Sequence, residues 1–216
     1  MAKPFITARE SPLFLRAFTP AVKWLFNIHF KQVWLHQQYQ PAGDSRTIYY
    51  LNHTMWWDGL IPLMLNAYRF KQQARAMMIH EQMLNYPFFK YAGVFSVDPE
   101  DRSHLLASMR YALQSMQRHH CALFIYPEGE IRPADGRIPF LRGLHWLHSQ
   151  LPNVDVVPIG IHMQAVRQAR PELHIWVGDA VKTANGEAHF RAPLQTILDQ
   201  LLNTAGFDDS PYEPFL

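Results

Sequence analysis

The chain has 216 residues, of which 48% are hydrophobic and 18% are charged, and its formal net charge is +2. This balance fits one compact domain and excludes a disordered chain, and no apolar run is long enough to predict a membrane-spanning helix. Cys121 is the one cysteine in the sequence, which excludes an internal disulfide and a cysteine-based metal site. The first ten residues lack the apolar core of a secretory signal, so we expect a cytoplasmic protein.

The N-terminal 40 residues differ from the rest of the chain in charge and in aromatic content. They contain five lysines and arginines, one acidic residue and seven phenylalanines and tryptophans. Such a segment is attracted to anionic surfaces, either a bilayer or a nucleic acid. Because no dense basic face recurs in the remaining chain, we expect no nucleic-acid partner.

Residues 12–40 are predicted to be helical, with a break near Pro20. Apolar side chains recur there at helical spacing. They are Val22, Leu25, Phe26, Phe30, Val33 and Trp34. Lys23, Asn27 and Lys31 form a second stripe, and a helix with these two faces suits a membrane interface. The alternative is an ordinary helix that packs on its own domain. We assign residues 1–40 as an amphipathic, helical, membrane-docking arm.

After a turn at residues 41–45, predicted strands and helices alternate along the chain. The predicted strands are Thr47–Leu51, Arg75–Ile79, Gly93–Val97, Cys121–Tyr126, Val154–Ile161 and Leu173–Val177. The predicted helices are Trp57–Tyr68, Gln82–Tyr91, Asp101–Arg118, Leu141–Ser149 and Ala192–Asn203. This alternation predicts an α/β domain over residues 41–216, with a mostly parallel central sheet flanked by helices.

The pattern H-x-x-x-x-D occurs twice, and only one copy has a useful geometry. His174 and Asp179 begin within a predicted strand, where residues five apart point to opposite faces. His53 and Asp58 instead span a strand end and a helix start, so the chain can bring the two side chains together. A carboxylate on one imidazole nitrogen leaves the other free as a base. The amides at the helix start would serve a substrate oxyanion.

A second polar segment, Tyr126–Arg132, directly follows another predicted strand. Pro127 and Gly129 predict a tight turn there. The turn would present Glu128, Glu130 and Arg132 at the same sheet edge as His53, and an arginine can hold a phosphate or carboxylate with two hydrogen bonds. A third segment, residues 156–160, is an apolar strand with a proline, which predicts an irregular or edge strand.

Taken in order, these segments resemble the glycerophosphate and lysophospholipid acyltransferase family. Four blocks of that family read N-H-x-S-x-x-D, G-x-I-F-I-x-R, F-P-E-G-T-R-S and V-P-V. Here they correspond to Asn52–Asp58, Gly93–Asp98, Tyr126–Arg132 and Val157–Ile159. The resemblance covers residues 45–180, and the first and third blocks are its specific part.

The resemblance implies an O-acyltransferase of lipid metabolism in which His53 is the general base and Asp58 orients it and raises its basicity. An acceptor hydroxyl would attack an acyl thioester, either acyl-CoA or acyl-carrier protein, with no metal and no further cofactor. Glu128, Gly129 and Arg132 would belong to the acceptor-binding turn. The partners would be a lysophospholipid-like or other lipid acceptor and the inner face of the membrane, bound peripherally.

The chain also departs from the family pattern at substrate-contacting positions. Asp98 and Pro99 stand where the second block has its arginine, and the nearby Arg102 would substitute. In the third block Glu130-Ile131-Arg132 replaces T-R-S, which displaces the arginine by one position. The two changes favour an acceptor with a head group other than glycerol phosphate, and Trp56 and Trp57 would pack against that acceptor. The alternative function is a catalytically inactive membrane-binding module of the same fold.

Overall fold

The structure, a computed structural model, describes residues 4–133, 140–166, 169–181, 188–207 and 211–216. The α-helices in these ranges are α1 Pro12–His29, α2 Ile61–Leu65, α3 His80–Asn85, α4 Arg102–Ser115, α5 Gly143–Gln150 and α6 Ala188–Thr204. The strands are β1 Gln32–Gln37, β2 Arg46–Leu51, β3 Gln73–Ile79, β4 Val94–Val97, β5 Cys121–Ile125, β6 Asp155–Gln164, β7 Glu172–Val177 and β8 Glu213–Pro214. Short 3₁₀ segments cover Trp56–Leu60 and Pro87–Ala92, and a π turn covers Asn66–Phe70.

The described strands form one sheet in the order β4-β3-β5-β2-β6-β7-β1-β8. The first five strands in this order are parallel to one another. β7 runs antiparallel to β6, β1 pairs parallel to β7, and β8 closes that side in antiparallel pairing. The predicted α/β fold with a mostly parallel sheet is therefore confirmed. In such a sheet the strands' carboxyl ends meet at one edge, where ligands bind.

Helices cover both faces of the sheet, so its central strands are apolar throughout. Alternate residues of β2 enter different cores: Tyr49 and Leu51 face one, and Ile48 and Tyr50 face the other. The first core receives side chains of α1 and α2, and the second receives side chains of α4, α5 and α6. Burial on both sides explains why β2 and β5 read as continuous apolar runs rather than alternating ones.

The predicted N-terminal helix is right only as far as His29. Ser11 caps its start by accepting the N–H of Phe14, and the helix continues through Pro20. Residues 32–37, predicted as helix, form β1 inside the sheet. Without β1, one side of β7 would have unpaired main-chain N–H and C=O groups. The pairing of β1 with this side of β7 overrides the local helical pattern. The predicted arm, residues 1–40, therefore includes β1, which is a strand of the central sheet.

The apolar stripe predicted for this segment faces the protein core. Val22, Phe26 and Phe30 are all buried. A different stripe of α1 is exposed, formed by Leu13, Trp24 and Ile28, and 63% of Trp24 is accessible. The helix is thus apolar on two sides, and one of them has no partner within the described residues.

The proline of the fourth block lies in an interior strand, so of the two predicted placements, an irregular strand or an edge strand, the edge placement is wrong. Pro158 is in register with Tyr50 of β2, and its carbonyl accepts the N–H of Gly178. A single missing donor is tolerated here because the neighbouring positions of β6 keep their pairing with β2 and β7.

Candidate active site

The chain leaves β2 at Asn52, whose side chain fixes the exit point. Asn52 is buried, and its Nδ2 donates to the carbonyl of Ile161 at 2.9 Å while its Oδ1 accepts the N–H of Ile161 at 2.8 Å. This pair of bonds ties the end of β2 to β6. No role of Asn52 follows from its place in the first block, although a lone amide after an apolar strand is a signal for such a bond.

Asp58 reaches back across the loop that follows β2. Its Oδ2 accepts the main-chain N–H of Thr54 at 2.6 Å and that of Met55 at 2.9 Å, and it lies 3.3 Å from His53 Nδ1. Its side chain is fully buried. Because this oxygen acts as an acceptor, Nδ1 is the donor in the third contact, which leaves Nε2 of His53 with a free lone pair.

The amides of Thr54 and Met55 are bonded to Asp58, since a buried carboxylate requires donors of its own. Both residues precede the predicted helix start at Trp57, so the role of the helix-start amides toward a substrate oxyanion stays a prediction.

The turn after β5 lies against His53, as predicted. Gly129 closes it by donating to the carbonyl of Tyr126 at 3.0 Å, with φ of +75°. A Cβ at this position would lie 2.6 Å from Leu141 Cδ1, and the positive φ would strain any other residue. The backbone conformation therefore favours glycine here, whereas Leu141 Cδ1 is the end of a flexible, half-exposed side chain that can shift.

Four contacts join this turn to the His53–Asp58 pair. Glu128 Oε1 accepts the His53 N–H at 2.7 Å, and the N–H of Arg132 donates to the His53 carbonyl at 2.9 Å. The Tyr126 ring stacks on the imidazole with centroids 4.3 Å apart, and its hydroxyl donates to the Asp58 carbonyl at 2.6 Å. Burial, with a smaller contribution from the Asp58 charge, raises the pKa of Tyr126 well above its usual value, so this phenol remains a donor.

Glu128 lies in a less polar environment than an ordinary surface carboxylate. Burial raises the pKa of the Glu128 carboxyl, while the hydrogen bond from the His53 N–H opposes the shift. The carboxyl therefore stays protonated to a higher pH than an exposed glutamate does.

A cavity of about 1030 Å³ opens beside His53 and runs between the sheet and the helices α4 and α5. Its wall is largely apolar. The apolar lining includes Met77, Met78, Ile79, Val94, Val97, Leu105, Leu106, Met109, Ile125, Leu144 and Leu147. Its polar lining is sparse and includes His53, Gln82, Arg102, Glu130 and Arg142. An imidazole in the wall of a largely apolar cavity suits a substrate with a hydrocarbon chain.

A family model described as acyltransferase matches residues 29–162. The chain belongs to the acyltransferase family. The fold is similar to the crystal structure of the 1-acyl-sn-glycerophosphate (LPA) acyltransferase PlsC from Thermotoga maritima, with a TM-score of 0.61 and 15% identity over 89% of this chain and 80% of that one. No curated protein matches the sequence.

In this acyltransferase the residues predicted to bind substrate fall into two groups. Arg102 and Gly129 line the cavity together with His53. Glu128 is not part of the lining, and its carboxyl accepts the main-chain N–H of His53. The Arg132 side chain forms an ion pair with Glu130.

The two tryptophans next to the site point in different directions. Trp57, predicted to contact the acceptor, packs instead against His29, Phe26 and Phe30 of the N-terminal segment. Trp56 lines the cavity and is 52% exposed. Adjacent residues of a 3₁₀ turn project about 120° apart, so the sequence alone did not say which of the two enters the cavity.

Proposed function

We propose that this acyltransferase moves a fatty acyl group from an acyl thioester, acyl-CoA or acyl-carrier protein, to a hydroxyl of a lysophospholipid-like or other lipid acceptor. The observation that carries the proposal is the pairing of His53 Nδ1 with buried Asp58 at an apolar cavity. The cavity would hold the acyl chain. PlsC of Thermotoga maritima, which shares the fold, is described as acting on a 1-acyl-glycerophosphate.

His53 would act as the general base. Its Nε2 takes the proton of the acceptor hydroxyl while the hydroxyl oxygen bonds to the thioester carbonyl carbon. The tetrahedral intermediate then collapses, the carbon–sulfur bond breaks, and the thiolate recovers the proton from Nε2. The products are an ester and a free thiol. Asp58 holds Nδ1–H throughout and stabilises the transient imidazolium, and such base catalysis contributes roughly 10²- to 10⁴-fold.

Arg102 is the cation we assign to the acceptor. It begins α4, lines the cavity and is exposed. The Arg132 side chain would reach an acceptor only after leaving Glu130. An acceptor with one anionic group, or with a neutral head group, therefore fits this site better than one that needs two arginines.

We propose that the exposed stripe of α1 docks the enzyme on the inner face of the cytoplasmic membrane. Leu13, Trp24 and Ile28 would enter the interface, and Arg16 and Lys23 lie beside them on the helix to meet anionic head groups. None of the helices in the described ranges is long and apolar enough to cross a bilayer.

The test is thiol release from palmitoyl-CoA and from palmitoyl-acyl-carrier protein, with a mixed lipid extract as acceptor and mass spectrometry of the products. We expect a new acylated lipid that disappears in His53→Asn and persists in His119→Asn, a matched change at an exposed histidine. Liposome binding with no acceptor-dependent thiol release from either donor would contradict the proposal and favour an inactive membrane-binding module.

A further inference from the structure

The turn at residues 126–132 holds the main chain of His53 on both sides. The main-chain N–H of His53 donates to the Glu128 carboxyl at 2.7 Å. The carbonyl of His53 accepts the N–H of Arg132 at 2.9 Å. The residue that carries the reacting imidazole is thus tied at both of its own main-chain polar groups, by a segment that lies about 75 positions away in the sequence.

The structure assigns Glu128 and Tyr126 as positioning residues that hold the His53–Asp58 pair in its reactive geometry, and it separates Glu128 from the acceptor. This inference rests on the proposed role of His53 as the base. It replaces the sequence-based expectation that Glu128 contacts the acceptor.

The position of Glu128 supports this role. The residue is 6% exposed, and the cavity lining contains its neighbours Pro127, Gly129 and Glu130 but not Glu128 itself. Its carboxyl is directed at the N–H of His53. The burial that raises the Glu128 pKa also keeps this carboxyl away from the solvent through which a polar acceptor would arrive.

Tyr126 contacts both His53 and Asp58. Its ring lies along the His53 imidazole, with an angle of 29° between the planes, and restricts rotation of that ring. Its hydroxyl donates to the main-chain carbonyl of Asp58 at 2.6 Å. One side chain therefore contacts both members of the pair, and the hydroxyl can be removed while the ring is kept.

These ties matter because the pair lies outside the sheet. His53 and Asp58 are joined by a loop and one 3₁₀ turn, without the ladder of hydrogen bonds that fixes β2. A misplacement of about 1 Å in a reacting group can lower a rate about 10²-fold. The contacts from residues 126–132 add to the hydrogen bonds that Asp58 makes within the loop, and they join the loop to a neighbouring strand end.

The test compares Glu128→Ala, Glu128→Gln and Tyr126→Phe by kcat and by KM for donor and acceptor. Glu128→Ala should lower kcat by about 30-fold or more, with both KM values within about threefold of the wild type. Glu128→Gln should recover most of the lost kcat, because the amide oxygen accepts the same N–H. Tyr126→Phe should lower kcat by about 3- to 10-fold, which reflects the loss of one buried hydrogen bond.

A second readout does not depend on turnover. The imidazole ¹⁵N resonances of His53 should show one ordered tautomer in the wild type and in Glu128→Gln, and broadened or averaged signals in Glu128→Ala. If Glu128→Ala does not fold, the other two variants still give the comparison, since each keeps the shape of the side chain.

Equal loss of kcat in Glu128→Gln and Glu128→Ala, or a raised acceptor KM with unchanged kcat, would overturn the positioning role. Unchanged kcat in Tyr126→Phe would overturn the part assigned to its hydroxyl. His53→Asn separates this inference from the proposed function. Full turnover in that variant would overturn both, whereas its inactivity together with equal Glu128 variants would overturn the positioning role alone.

Discussion

Asp58 Oδ2 lies 3.3 Å from His53 Nδ1 while it also accepts the N–H groups of Thr54 and Met55. One oxygen atom therefore closes the loop and orients the imidazole. On a regular helix, side chains five residues apart project about 140° apart, so this contact depends on the extended residues between β2 and the 3₁₀ turn. The fold of the loop and the chemistry of the site are fixed by the same carboxylate.

Asp58→Asn should impair both the closure of the loop and the orientation of the His53 imidazole. An asparagine lacks the negative charge that strengthens the three hydrogen bonds to this oxygen and stabilises the imidazolium, so we expect kcat to fall by about 10²-fold or more and the free energy of unfolding to fall by about 1–3 kcal/mol. Urea unfolding and steady-state acyl transfer measure the two effects. Asp44→Asn, at an exposed position, is the control. Activity within threefold of the wild type would contradict the assigned role of Asp58.

Asn52→Ala should destabilise the fold. It leaves the N–H and the carbonyl of Ile161 without their side-chain partner inside the core, at a cost of about 2–4 kcal/mol. Chemical denaturation tests this expectation, with Asn85→Ala on the exposed face of α3 as the matched substitution. Equal stability of the two variants would show that the Asn52 bonds contribute little.

Trp56→Ala and Trp57→Ala should have opposite profiles. Trp57 packs against α1 and Phe30, so its loss should lower stability by about 2–3 kcal/mol and leave substrate KM values nearly unchanged. Trp56 is half exposed in the cavity wall, so its loss should raise KM with little effect on stability. Thermal unfolding and steady-state kinetics of both variants decide this, and the reverse pattern would contradict the assignment.

The triple variant Leu13→Ser, Trp24→Ser, Ile28→Ser should bind anionic vesicles at least about tenfold more weakly, since it removes the exposed apolar stripe of α1. Co-sedimentation with phosphatidylglycerol vesicles measures this. The control is Leu202→Ser with Phe207→Ser, because both residues are exposed and apolar; Leu202 lies in the last turn of α6 and Phe207 follows that helix. If both multiple variants bind like the wild type, another surface carries the docking.

The buried carboxyl of Glu128 predicts a pH dependence of stability. Burial raises its pKa above the ordinary value of 4.5, so the folded state binds this proton more tightly than the unfolded state does. Its contribution to stability is complete below pH 4.5 and is lost as the pH rises through the folded-state pKa. Relative to Glu128→Gln, the wild type should therefore lose stability as the pH rises above 4.5. Parallel unfolding curves over this range would contradict the prediction.

Much of the fold could be predicted because its signals are local. Predicted strands such as Thr47–Leu51 and Cys121–Tyr126 match β2 and β5 within one residue. Burial on both faces of a sheet selects uninterrupted apolar runs, and those runs are visible in the sequence. The positions of His53 and Glu128 after two such strands also predicted that they meet at one edge of the sheet.

The predictions that differ from the structure share a different cause. Gln32–Gln37 has a helical pattern but becomes β1, because the unpaired edge of β7 lies about 140 residues further along the chain. Trp57 and Glu128 are beside the site in sequence, yet one side chain packs on α1 and the other bonds to the His53 main chain.

The sequence by itself therefore determined the order of the elements, the sheet edge that carries the site and the pairing of His53 with Asp58. Only the tertiary structure decided which stripe of α1 is buried, which tryptophan lines the cavity and which groups hold the base in place. The physical reason is that periodicity reports whether a side chain is suited to burial. Its actual partner is set by hydrogen bonds and packing between segments far apart in the chain.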